Sequence, residues 1–418
     1  MTSRERIQTA LNHEEPDRVP LDLGGSTVTG MHVSSVYRLR QALGLDGPGT
    51  PVKVIEPYQM LGEIASDLVQ ALGVDVLPLG SPKTFFGFSN EGWKPWKLFD
   101  GTPVLVPDKF NTEPEPSGDI LMYAEGDRSA PPSGRMPHGG FYFDAIVRQP
   151  PLDDVPDPRD NMEEFGLIGE TDLSYFKTTA ETRFRDTDRA LLGNFGGTSF
   201  GDIALVPAPW LKQPKGIRDV AEWYASTITR RDYVWRVFER QCELGLANLE
   251  ALHDAVGSRI AVIFVSGTDF GMQQGSFISV ETYRELYKPF HAQVNRWIHQ
   301  HTPWKTFIHT CGSIMNLLPD FIEAGFDIVN PVQCSAAGMD PVRLKQRFSG
   351  QICFWGGGVD TQHTLPYGSP LEVAAQVKQR IEVFAKGGGY VFNTIHNVQA
   401  GIPTENLIAL YEAVKNTY

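Results

Sequence analysis

Short apolar runs, each closed by glycine or a polar residue, recur along this chain: VPLDLGG (19–25), DVLPLG (75–80), ALLGNFGG (190–197), IAVIFVSG (260–267), KTFIHTCG (305–312), DIVNPVQ (327–333), ICFWGGG (352–358) and YVFNTIHN (390–397). Their β-branched and aromatic content predicts buried parallel strands. Between most of them apolar residues return with the period of a helix. The clearest such stretches are residues 60–73, 234–257, 283–301 and 371–389, the last ending on glycines as a helix C-terminus prefers. Residues 2–12 predict a further helix, with Thr2 and Glu5 as a capping box and Pro16 at the exit. Eight strand segments alternating with helices predict an α/β fold, a TIM (β/α)8 barrel, forming one domain over residues 1–418. A doubly wound open sheet is the alternative. In the barrel, the C-terminal ends of the strands carry the active site.

Residues 81–165 interrupt this rhythm. They are rich in Pro, Gly and aromatic residues, and DGTPV and SGDILMY look like strands joined by tight turns. The expectation is a β-rich insertion after the second strand, serving as a lid or an oligomer contact, or else an irregular surface excursion. Its aromatic content makes a homo-oligomer one reading.

Composition narrows the function. The chain is 41% hydrophobic and 21% charged, as in soluble globular proteins. The net charge of −13 disfavours nucleic acid and anionic membranes as partners, while leaving room for a local basic pocket. No apolar run approaches the roughly 18 residues needed to span a bilayer. The charged opening MTSRERIQTALNHEEPDR has no apolar signal core, which implies a cytoplasmic protein. Four cysteines, Cys242, Cys311, Cys334 and Cys353, are too few for a disulfide framework in a chain this long.

His309 and Cys311 therefore draw the first chemical hypothesis. Residues i and i+2 of a strand point to the same side, so at a strand end both would reach the barrel mouth. An imidazole and a thiolate suit Zn²⁺, although H-x-C alone is equally at home in a structural core. Cys334 follows the next strand and His396 follows the last, so His309, Cys311, Cys334 and His396 form the candidate metal set. Gln333 replaces Cys334 if the register slips by one. Three protein ligands would leave a fourth position open, suited to a thiol or a polarised oxygen substrate. Cys353, inside ICFW, and Cys242, on an amphipathic helix, read as core residues.

Several segments also resemble the uroporphyrinogen decarboxylase superfamily: MTSRERIQTALNHEEPDRVPLDL, FIHTCGSIMNLLPDFIEAGFDIVN, WGGGVDTQHTL and HNVQAGIPTENLIALYEAV. The resemblance covers residues 1–80 and 230–418 and is loose in the β-rich region. It implies a TIM barrel and two branches of activity. True decarboxylases carry an Arg-rich N-terminal motif, but DLGGSTVTGMHVSS (22–35) has no arginine, and no acidic residue follows Asp75 at the end of its strand. Arg–carboxylate pairs for a poly-acid substrate are thus missing. The other branch, the cobamide-dependent zinc methyltransferases, has H-x-C followed by a distant Cys. Here His309 and Cys311 match, and His396 stands where that Cys would be. This branch implies methyl transfer between a corrinoid (cobalamin) and a thiol, methoxy or methylamine compound. No D-x-H-x-x-G signature is present, so the corrinoid would arrive on a partner protein.

Other residues fall at strand ends. Asp269, in VSGTDFGMQQG, is a candidate catalytic or ligand-orienting carboxylate or else a helix cap, with Gln273 nearby as a substrate or cofactor contact. Asp360, in GGGVDTQ, and Asn194, in GNFGGTSFG, are candidate binding residues or plain turn residues. Glu56 and Tyr58 read as packing residues between elements or as a pocket wall. His291, His299 and His301 read as surface residues of one helix, and His138 as part of the insertion. Two other functions remain open at this stage: a metal-free lyase using Asp269 and His396, and a barrel that only binds a small molecule.

Overall fold

Seven of the eight apolar runs become strands of one parallel sheet in the computed structural model, which describes residues 1–417. They are β1 (Val76–Gly80), β2 (Ala190–Asn194), β3 (Val262–Ser266), β4 (Lys305–His309), β5 (Ile328–Asn330), β6 (Cys353–Trp355) and β7 (Tyr390–Val391). Each pairs only with its neighbours in chain order, the simplest product of right-handed βαβ connections. The eighth run forms a bridge instead of a full strand. The Phe392 N–H donates to Pro20 O (2.8 Å), Asp22 N–H to Phe392 O (2.9 Å), and Asp75 N–H to Leu21 O (2.8 Å). Residues 20–22 therefore touch both edges of the curled sheet, which is TIM-like in consequence.

Alternation decides what fills the interior. One core cluster contains Val76, Ala190, Leu192, Val262, Phe264, Phe307, Ile328, Cys353, Trp355 and Val391, which are inward positions from every strand. Ile7 and Leu11 of the first helix (Ser3–Leu11) join it from below. That helix has the expected capping box between Thr2 and Glu5. Phe307 and Trp355 meet edge to face at 5.6 Å, worth about 0.5–1.5 kcal/mol beyond their burial. Cys242 and Cys353 are core residues.

The outer helices follow the predicted periods with three differences. The stretch 60–73 splits into a two-residue strand, Leu61–Gly62, and a helix that begins only at Ser66. Helices Val33–Ala42, Glu170–Asp186, Val220–Thr229, Pro341–Phe348 and Thr404–Lys415 add to those expected, with shorter ones at Leu318–Glu323 and Thr364–Tyr367. Between Tyr283 and Tyr287 the predicted 283–301 helix is a π-turn, followed by Lys288–His301. Pro289 has no N–H to give to the preceding turn, which favours a locally widened helix there. His291, expected at the surface, is fully buried in this helix. Its ring lies against Phe200 and Phe326, and its Nδ1 meets Tyr283 Oη at 3.1 Å. His299 and His301 are exposed, as expected.

The β-rich region begins earlier than residue 81. Val52–Glu56 pairs with Leu61–Gly62 and Pro103–Val106, and the latter with Lys94–Lys97. A second small sheet joins Ile120–Tyr123, Pro132–Met136 and Asp144–Ala145. Glu56 thus ends a strand, where its buried carboxylate accepts from the backbone N–H groups of Tyr58 (3.0 Å) and Gln59 (2.7 Å). His138 stays on this region's exposed surface, against Phe99. No helix among the described residues is long and apolar enough to cross a membrane.

Candidate metal centre

Above the apolar barrel interior, the same alternation gives a polar layer. Two residues beyond Phe307 lies His309; beyond Ile328, Asn330; beyond Leu192, Asn194; beyond Val391, Asn393; beyond Phe264, Ser266. All but Asn194 are buried. The chain therefore places polar side chains in a dry space where each must find a partner.

His309, Cys311 and His396 come together in this layer. One donor atom from each lies within 4.8 Å of the others. His309 Nε2 is 3.6 Å from Cys311 Sγ, and the two imidazoles meet edge to face at 5.3 Å. Burial pushes both imidazoles down to about 4, so each is neutral at neutral pH with a lone pair to offer. Burial, and then the neighbouring Asp269, push the Cys311 thiol well above its ordinary range. Cys311 and His396 keep part of their surface open at the mouth, while His309 is 4% exposed.

The surroundings fix these donors. Asn330 Nδ2 donates to Trp355 O (2.8 Å), so its Oδ1 faces His309 as an acceptor at 2.6 Å. The proton of His309 is thereby held on Nδ1, leaving Nε2 toward Cys311. Asp269 Oδ1 accepts from the Cys311 backbone N–H (2.7 Å), and Tyr224 donates its hydroxyl to the Asp269 carbonyl. Burial raises the Asp269 carboxyl above its usual range. Gly312 adopts φ +85°, and a Cβ there would lie 2.4 Å from the backbone of Gly271. The glycine after the cysteine is what allows the two loops to touch.

The other predicted site residues go elsewhere. Cys334 does not join the three donors: its thiol points at the carbonyl oxygens of Val332 (3.4 Å) and Gly357 (4.0 Å). Gln333 is a brace, accepting from Gly312 N–H (2.8 Å) and donating to Gln273 Oε1 (3.0 Å). Gln273 in turn donates to Ser335 O (2.6 Å), so both ends of its amide hold loops together. Asp360 caps its own turn through the N–H groups of Gln362 (2.7 Å) and His363 (3.1 Å). Asn194 ends β2 beside Gly80, with no side-chain hydrogen bond among the described residues.

Three residues escaped the sequence reading. Asn330 was visible in principle, two positions beyond Ile328 on an inward face. Asp22, held by Trp355 Nε1 (2.8 Å) and Gly25 N–H (2.8 Å), is pushed by burial up to about 6. Asp202 is pushed up to about 7, chiefly by burial and in part by Asp269. Gly267 makes room for it, since a Cβ there would sit 2.5 Å from Asp202 Oδ2.

The family model of uroporphyrinogen decarboxylase (URO-D) matches residues 205–417. Among solved structures, a methyltransferase from Methanosarcina mazei is similar over 100% of this chain and 99% of its own, with a TM-score of 0.55 at 16% identity. That likeness is one of fold. A mandelate racemase from Bordetella bronchiseptica RB50 aligns over 68% of this chain and 84% of its own at 12% identity, and its TM-score of 0.19 carries no argument. No curated protein matches the chain in sequence.

Proposed function

The chain belongs to the uroporphyrinogen decarboxylase (URO-D) family, and within it we propose a zinc-dependent methyltransferase. It would move a methyl group between a corrinoid on a partner protein and a small thiol, methoxy or methylamine compound. We read the scaffold as a TIM barrel whose eighth strand is the 20–22 bridge, and residues 81–165 as an insertion upon it.

The observation that carries this reading is the meeting of His309, Cys311 and His396 at the strand ends. The donor set fits the metal. Zinc bound at about 2.05 Å to nitrogen and about 2.3 Å to sulfur with tetrahedral angles spaces those ligands roughly 3.5 Å apart, and His309 Nε2 and Cys311 Sγ are 3.6 Å apart. Bound there, zinc would activate a thiol or polarise an oxygen at neutral pH. The chain's own residues do the rest. Asn330 holds the His309 proton on Nδ1 and so keeps Nε2 available. Asp269 pins the Cys311 backbone, and Gly271 and Gly312 let that loop sit against its neighbour. The apolar barrel below excludes water from the buried side of the cluster.

The metal-free lyase is the second reading, favoured by family membership and by the buried carboxyl of Asp269 beside His396. Metal content per chain separates the two. Wild type is expected to hold about one zinc per chain, and Cys311→Ala and His396→Ala far less. If none of the three takes up metal when zinc is offered at neutral pH, the methyltransferase reading fails and the lyase takes its place.

A further inference from the structure

We propose that a second ligand site lies at the opposite end of the barrel and binds a compact oxyanion of the size and charge of inorganic phosphate. A cavity of about 70 Å³ opens beneath the N-terminal ends of β2, β3 and β4, under the first helix. At roughly 10–15 Å³ per water, it has room for several waters or one small ion.

Its wall is basic. Arg4, Arg259 and Lys305 line it, and no carboxylate does. That departs from the chain as a whole, which carries a net charge of −13. The helix Ser3–Leu11 presents Arg4 and Gln8, spaced four apart, on one stripe that continues into Asn12 just beyond it. Ile7 of the same helix packs into the barrel, and Arg6 pairs with Asp17 and Asp75.

Arg4 is the central group. Its guanidinium lies 3.6 Å over the Phe184 ring, and Nη2 donates to the carbonyl oxygens of Phe184 and Thr187, both at 3.0 Å. Its Nε is buried with no hydrogen-bond partner, and no carboxylate pairs with it among the described residues. Arg259 and Lys305 each share one carboxylate outside the wall, Glu181 and Asp327, both at 3.3 Å. Arg259 Nη1 also donates to Val256 O (3.1 Å), and each residue keeps at least one further N–H without a partner among the described residues. Gln8, Asn12 and Ser258 make no side-chain hydrogen bond among the described residues and add neutral donors to the wall. Convergent Arg and Lys donors are how proteins recognise phosphate oxygens, and here Arg4 brings the one guanidinium of the wall that no carboxylate neutralises among the described residues.

The test is a titration of the full chain with inorganic phosphate at constant ionic strength, with chloride as control, read by melting temperature and calorimetry. Phosphate is expected to stabilise wild type saturably. Gln8→Glu places a carboxylate on an exposed, unbonded helix position and should weaken binding at least about tenfold without lowering the phosphate-free melting temperature. Arg4→Gln should weaken binding similarly. Both variants should keep the wild-type metal content, so this site and the metal centre can fail separately. If phosphate acts no differently from chloride, or wild type and both variants titrate alike, the site does not exist.

Discussion

The two ends of the barrel handle buried polarity in opposite ways. At the N-terminal end, outside the Arg4 pocket, the buried carboxylate is matched by arginines. Asp75, with its side chain fully buried, accepts from Arg6 Nη1 (2.7 Å), from Arg18 Nη1 and Nη2 (both 2.8 Å) and from the Leu21 N–H (2.9 Å). Arg6 also pairs with Asp17 at 2.7 Å. At the C-terminal end, two imidazoles, a thiol and a carboxyl share the space with no arginine or lysine among the groups that shift them. One end spends its charges on holding the first helix and the bridging segment to the barrel. The other keeps uncharged donors side by side, an arrangement that gains most from an added cation.

The largest expected effect tests the matched end. Asp75→Ala leaves the buried Arg6 guanidinium with Asp17 alone and the partly exposed Arg18 with no carboxylate. Unfolding free energy should fall by about 3–5 kcal/mol in urea titrations, the range for breaking a buried ion pair. Metal content should stay at the wild-type level in whatever fraction remains folded. A loss below about 1 kcal/mol would mean that the cluster contributes no more than a surface pair.

Next in size is Asn330→Ala, at the unmatched end. It removes the acceptor that holds the His309 proton on Nδ1. Zinc affinity, measured by competition with a chelator, should fall about 10- to 100-fold, while stability of the metal-free protein changes far less than in the Asp75 variant. Unchanged affinity would mean that Asn330 only packs against the strand end. Asn330→Asp, which keeps an acceptor at the same place, should recover most of the loss.

The contrast between the ends also separates what the sequence disclosed from what it concealed. The apolar runs marked the strands because burial on both faces leaves them no polar positions to blur the pattern. Alternation then carried His309 and Cys311 correctly to one place. It carried Asn330 there too, by the same count from Ile328. Cys334 misled because it lies four residues beyond Asn330, past the strand, where alternation no longer sets direction. His291 shares the inward helical spacing of Tyr287, Val294 and Ile298, yet its charged neighbours in the sequence suggested a surface. The pairing of Val52–Glu56 with Pro103–Val106 had no local signal, because those strands find each other across nearly fifty residues.

Acid titration of the metal-free protein gives the smallest effect and sets the ends apart by pH window. His309 and His396 have folded values near 4, below the ordinary value of 6.5. Between these values the unfolded chain binds more protons than the folded one, so stability is full above about 6.5 and is lost as pH falls toward 4. His32, pushed down to about 4, and His291, pushed down to about 3, add to the same limb. At the other end, Arg6 holds the Asp17 carboxyl well below its ordinary 3.8, so its contribution is complete above that value and lost only in stronger acid. Each histidine adds at most about 1.4 kcal/mol per pH unit to the slope within its window. His396→Gln should therefore flatten the fall in urea stability between pH 6 and 5 by about 1 kcal/mol. Asp17→Asn should lower the curve across that interval without changing its slope. Equal slopes in wild type and His396→Gln would show that the imidazole is already solvated and charged at the mouth, and would remove the reason to regard that end as short of a cation.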